Sequence, residues 1–249
     1  MADFNKRFGG LRAGLMALAG GGLLAAAPVQ AADYINTLGA LSQDNFRTLS
    51  EDLGSGLSFK GVVPAESLGV LGFDVSASAS GMKVPNRDLW RQASGGQNVD
   101  QWVGMAGVRV HKGLPGGVDI GGFYNTSSNN IKLYGGEVRW AFLKGSTLTP
   151  AMALRGSYSR LGGVKQLDLD TMGVDVSISK GILMFTPYAG IGKVWVRSKP
   201  KGVPMLKKES FSQNKVFAGI NVNLGINFAA EVDRTGDVTS YSVKTGIRF

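Results

Sequence analysis

The sequence predicts an all-β fold: a closed antiparallel β-barrel of about ten strands that crosses a membrane, preceded by a short amphipathic helix. Three observations carry this reading. From about residue 70 the chain alternates apolar with polar or small residues in segments longer than the ~5 or 6 residues usual in soluble sheets. Gly, Pro, Asn and Ser turns separate those segments. The polar face of each segment is rich in charge, while the apolar face carries aromatics such as Trp102, Tyr124, Trp140, Tyr188 and Tyr241. Apolar side chains outside, charges inside and an aromatic girdle are what a barrel in lipid requires.

Composition narrows the field first. The 249 residues hold 37 glycines, 18% charged residues, one histidine and no cysteine, with a formal net charge of +9. Hydrophobic content of 43% excludes disorder, and the lack of cysteine excludes disulfide scaffolds, thiolate metal sites and cysteine nucleophiles. The N-terminus reads as a leader. Lys6, Arg7 and Arg12 precede an uncharged run from Ala13 to Ala27, and Pro28-Val29-Gln30-Ala31 ends in a small-residue cleavage pattern. The run is too short, and too diluted by Gly14 and Gly20 to Gly22, for a membrane helix. Residues 1–31 are therefore expected to be removed on export.

Ten candidate strands follow: 70–84, 101–112, 117–127, 130–144, 147–161, 166–180, 182–197, 214–224, 226–234 and 238–249. The last shows the logic: Tyr241, Val243, Thr245, Ile247 and Phe249 share one face and Ser240, Ser242, Lys244, Gly246 and Arg248 the other. In hydrocarbon an unpaired backbone group has no water to bond, so the sheet must close on itself. Tight turns at 113–116, 144–146, 180–181 and 224–225 are expected on the periplasmic side, and long loops at 85–100 and 198–213 outside. A twelve-strand barrel is the alternative if a segment is split.

Residues 32–64 stand apart from the barrel at 65–249. Ser42 as N-cap, Asp44 in the first turn, Phe46, Leu49 and Leu53 on one face, and Gly54 just past the end describe a short helix. The alternating stretch Leu57–Val62 has strand character, but an eleventh strand would put Phe249 at the wrong end. The segment is therefore expected inside the lumen or against the periplasmic rim.

The terminal Phe249, with Tyr241, Val243 and Ile247 on alternate positions, resembles the C-terminal signature of Gram-negative outer-membrane proteins. Phe185-Thr186-Pro187-Tyr188-Ala189-Gly190-Ile191-Gly192 is similar to the central strand of many such barrels. With Leu49–Gly54, Asn86–Arg91 and Asp233–Asp237, the pattern resembles a proteobacterial outer-membrane barrel family across nearly the whole exported chain. The resemblance implies Sec-type export, the outer membrane, and handling by the barrel-assembly machinery through Phe249. It implies no substrate and no active site.

Strand parity puts Asp74, Arg109, Asp119, Glu137, Arg139, Arg155, Asp175, Lys193, Arg197, Lys215, Glu231, Asp233, Lys244 and Arg248 on the inner face. Two readings compete: a cation-lined, anion-favouring narrow channel, and a ladder of paired charges that fills a narrow lumen. Lys199, Lys201, Lys207 and Lys208 make the 198–213 loop basic, which suits lipopolysaccharide or another anionic surface ligand. Outer-membrane lipid and lipopolysaccharide are thus the expected partners, with a monomeric barrel and no nucleic acid. An outer-membrane hydrolase would need a histidine paired near the outer rim, whereas His111 points inward beside the periplasmic turn at 113–116. Asp168 and Asp170 share a strand face as an acidic pair. No catalytic set, cofactor motif or metal-ligand spacing stands out, so no enzyme activity and no cofactor are expected.

Overall fold

A computed structural model describes residues 35, 37–127, 131–146 and 148–249; the leader read at 1–31 lies outside the described residues. A short 3₁₀ turn, Leu38–Ala40, leads into helix α1 (Gln43–Gly56). The strands are β1 (Phe73–Lys83), β2 (Trp102–Leu114), β3 (Val118–Thr126), β4 (Lys132–Leu143) and β5 (Ala151–Gly162), then β6 (Leu167–Ser179), β7 (Phe185–Pro200), β8 (Glu209–Asn223), β9 (Asn227–Thr235) and β10 (Val238–Arg248). A second helix, α2 (Arg87–Ala93), sits in the β1–β2 loop.

Each strand pairs antiparallel with its neighbours in the chain, and β1 pairs β10, with Val75 opposite Ile247 and Ser78 opposite Lys244. The sheet is a closed barrel of ten strands, not twelve. Closure leaves no edge whose N–H and C=O groups would lack partners. At the seam Phe249 donates its backbone N–H to the Phe73 carbonyl at 2.9 Å, and the two rings sit 4.8 Å apart.

Side chains alternate along every strand, as the pleat demands. Valine, isoleucine and aromatic residues such as Val110, Ile120, Val138, Trp140, Ile191 and Ile247 stand exposed on the exterior, not in a core. The interior has two zones. At the end that carries the β1–β2 loop, the wall side chains Met82, Val103, Leu133, Leu169, Val194 and Val196 enclose the apolar face of α1 (Phe46, Leu49, Leu53) together with Trp90 of α2. Towards the end that carries both the start of β1 and Phe249, the wall is charged: Asp74, Arg109, Asp119, Glu137, Arg139, Arg155 and their neighbours are buried.

The structure corrects three sequence readings. Tyr188, read on the outer apolar face, is buried inside and donates its Oη–H to Glu231 at 3.1 Å. Lys193 and Arg197 are exposed on the outer face of β7, while Val194 and Val196 point in. At that height the interior is filled by α1, so the apolar side chains of β7 turn inward and its cations turn out. The basic loop is also shorter than 198–213, because β7 runs to Pro200 and β8 begins at Glu209. Lys199 therefore projects from a strand, and Lys201, Lys207 and Lys208 alone lie in the loop.

Helix α1 starts as the sequence indicates, with the Ser42 side chain accepting from the Asn45 N–H at 3.2 Å. It does not stop at Gly54. The helix continues to Gly56, and Gly54 faces the wall where a β-carbon would come within 2.5 Å of Val196. Here glycine serves close approach rather than termination.

Candidate functional site

Residues 57–68, after α1, run through the lumen without joining the sheet, and the charged wall residues hold this extended backbone by hydrogen bonds. Going down the segment, Ser159 donates to the Leu57 carbonyl at 3.1 Å, Lys215 to that of Phe59, and Arg109 to those of Lys60 and, at 3.3 Å, Gly61. The Val62 N–H donates to Glu231 at 2.9 Å, Arg139 donates to the Pro64 carbonyl at 2.7 Å, and the Leu68 N–H donates to Asp119 at 3.0 Å. A backbone withdrawn from water without ladder partners must be satisfied somehow, and here side-chain ions do it. The strand character of Leu57–Val62 is thus realised as extended chain inside the ring.

The charges also pair with one another. Lys60 lies 2.8 Å from Asp233, Arg155 bonds Asp175 at 2.9 Å and Glu137 at 3.3 Å, and Lys244 bonds Asp74. Among the described residues, five buried wall cations (Arg109, Arg139, Arg155, Lys215, Lys244) face six buried wall anions (Asp74, Asp119, Glu137, Asp175, Glu231, Asp233). Lys60 of the threaded segment supplies the sixth cation. Sequence parity covers strands only, so it misses Lys60; its alternation with Phe59 in Leu57–Val62 is the one local sign of it.

Three cavities within the barrel have volumes of about 10 Å³ each, roughly one water apiece. Val62, fully buried, takes a left-handed backbone with φ 52°, a costly conformation for a β-branched residue that surrounding contacts must impose. His111, buried at 2% exposure, places Nε2 3.1 Å from Glu137, which itself meets Arg155. It belongs to the same buried network and faces no open cleft. Asp168 and Asp170 lie on the outer face, paired with Lys201 at 2.6 Å and Arg160 at 3.6 Å.

At the α1 end the closure is pinned by Asp52. Its carboxylate accepts from Trp90 Nε1 at 3.0 Å and from Asn86 Nδ2 at 3.1 Å, tying α1 to the β1–β2 loop. Burial pushes this carboxyl up from 3.8 to about 6, against the lowering effect of the Trp90 and Asn86 donors, with Glu51 adding a smaller upward push. A carboxyl whose folded value exceeds its unfolded value makes the fold relatively more stable as pH falls from above 6 towards 4. Wild type is therefore expected to gain on the order of 2 kcal/mol between pH 7.5 and pH 4 over Asp52→Asn, which lacks this titration. Urea unfolding of both proteins in micelles at the two pH values measures the difference.

Neither a protein-family model nor a curated protein matches the chain. Solved structures that resemble it are barrels. The N-terminal β-barrel domain of Pseudomonas aeruginosa OprF shares 14% identity at a TM-score of 0.38, covering 71% of this chain and 97% of its own. The KdgM porin, solved in complex with disordered oligogalacturonate, shares 8% at 0.37, covering 71% and 99%. Ail, the attachment invasion locus protein of Yersinia pestis, solved with the heparin analogue sucrose octasulfate, shares 14% at 0.29, covering 72% and 98%. Likeness of this degree carries no functional argument, and the barrel rests on its own strand pairing.

Proposed function

We infer that this chain is an outer-membrane β-barrel whose lumen is closed by its own N-terminal segment, a structural membrane protein that does not conduct while that segment is seated. The observation that carries the inference is the passage of residues 57–68 through the charged zone, with α1 filling the apolar zone above it. The exterior supports the membrane: apolar side chains outside a sealed ring gain from lipid, and inward ions escape the cost of facing it. The long β1–β2 loop supports an outward-facing loop end, with the assembly signal Phe249 at the periplasmic end. The exported barrel acts as a monomer, assembled by the barrel machinery.

Planar bilayers test the closure. Wild type is expected to be silent, and deletion of residues 35–64 to give discrete conductance steps. Because the deletion removes core packing, a second variant is needed. Ser50 Oγ donates to Ser198 Oγ at 2.8 Å, so Ser50→Cys with Ser198→Cys in a cysteine-free chain should lock α1 to β7 when oxidised. Steps from wild type that persist unchanged in the oxidised double variant would refute the plugged resting state.

Orientation has its own test. The described chain begins at the loop end, where the Thr37 N–H bonds the Ala93 carbonyl at 3.0 Å and Gly39 is exposed. An epitope inserted at Gly39 is expected to bind antibody on intact cells, whereas one between Leu224 and Ile226 binds only after permeabilisation. The reverse pattern would invert the barrel.

A further inference from the structure

The outer face of β7 carries a row of alternate residues that the barrel itself does not use: Lys193, Trp195, Arg197 and Lys199, all exposed. Among the described residues, no carboxylate lies within ion-pairing distance of Lys193, Arg197 or Lys199, whereas Arg160 and Lys201 nearby are engaged by Asp170 and Asp168. Beside the row lies an open groove of about 420 Å³, lined by Tyr158, Asp170, Met172, Trp195, Arg197 and Ser212. Asp170 is itself occupied, accepting from Tyr158 Oη at 2.7 Å and pairing with Arg160 at 3.6 Å. Counting the wall residues Arg160, Lys193, Arg197 and Lys199 against Asp168 and Asp170, this patch holds an excess of two positive charges, and Lys201 of the adjoining loop raises it to three.

Depth decides what can sit there. From Phe185 at the periplasmic end of β7 to Lys193 the strand climbs roughly 20 Å at ~3.3 Å per residue and a tilt of ~40°, close to the top of a band ~25 Å tall. Below the row the same wall is apolar, with Val176, Ile178 and Ile191 exposed, and Val174 stands beside Lys193 across the β6–β7 ladder. Cations here stand at headgroup level and aromatics flank them, while the groove opens sideways into the leaflet. An arginine fork offers two parallel donors to phosphate oxygens, and the lysines add charge.

Resting on the membrane reading above, the geometry points to a lateral binding site for a phosphate-bearing lipid of the outer leaflet. Its phosphate sits on Arg197 and Lys199 with Lys193 beneath, and an acyl chain lies in the Tyr158–Met172–Trp195 groove. The site is on the barrel wall, not in the loop, and Lys207 and Lys208 are outside it.

Native mass spectrometry of the full protein in non-ionic micelles tests this, with bisphosphorylated lipid A as probe, its dephosphorylated form as a control, and inositol hexakisphosphate as a soluble anion. The phosphorylated lipid is expected to be retained at least ten-fold better than the dephosphorylated one. The triple variant Lys193→Gln, Arg197→Gln, Lys199→Gln is expected to lose that preference, and Lys207→Gln with Lys208→Gln to keep it. All these side chains are exposed, so the barrel should fold in each variant, which circular dichroism confirms. Equal retention by the triple variant, or tighter capture of inositol hexakisphosphate than of lipid, overturns the site. Insertion into phosphatidylcholine vesicles is read separately: failure there sinks the membrane reading, whereas insertion with unchanged lipid retention sinks only this site.

Discussion

Replacing Arg155 by Met is expected to destabilise the barrel by about 3–5 kcal/mol, the usual cost of leaving buried charges without their partner. Arg155 is 2% exposed and its guanidinium bonds Asp175 at 2.9 Å and Glu137 at 3.3 Å. It also lies 5.4 Å from the Phe59 ring of the threaded segment and 5.3 Å from that of Phe217. Its loss leaves two carboxylates in a site with almost no room for water. Urea unfolding in micelles measures the cost, and adding Asp175→Asn should recover part of it, since one stranded charge is then gone. A cost below 1 kcal/mol for Arg155→Met would show that the buried ions are hydrated in a lumen wider than the one described.

Gly61→Val should expel the threaded segment while leaving the ring intact. A β-carbon on Gly61 would fall 1.8 Å from Arg155 Nη1 and 2.6 Å from its Cζ, and that guanidinium is tied to two carboxylates and cannot swing aside. The expected result is conductance in planar bilayers and protease cleavage within residues 35–68, with the strand content of the barrel preserved. Gly56→Ala makes the contrast. Its β-carbon would meet Met82 Sδ at 1.7 Å, an equally close approach to a flexible thioether that can move. Gly56→Ala should remain silent and intact, and equal disruption by both would mean that the segment is not held where the hydrogen bonds place it.

Much of this was legible in the sequence because lipid imposes a simple rule. Val216, Ala218, Ile220 and Val222 alternate with Lys215, Phe217 and Asn221, and such a strand has one face for hydrocarbon and one for the interior. Ten segments of that kind and the prohibition on open edges lead to the closed ring. The Ser42 cap and the Phe46, Leu49, Leu53 stripe likewise mark α1 locally. Lys193 and Arg197 escaped because the rule that sends charge inward holds only within the bilayer. Near the headgroups an outward lysine costs little, and the interior there wanted Val194 and Val196 for α1.

The sequence by itself determined a closed antiparallel barrel of about ten strands with an inward-facing set of charges, because both follow from periodicity and from the demand that every backbone group be paired; the choice of ten over twelve and the β1–β10 seam came from the structure. Only the tertiary structure decided what those charges do. Whether Leu57–Val62 joins the sheet or lies along the axis depends on partners more than forty residues away in the chain, Arg109, Lys215 and Glu231 among them. No local pattern encodes that choice, since an extended backbone presents the same donors and acceptors to a neighbouring strand as to a ring of ions.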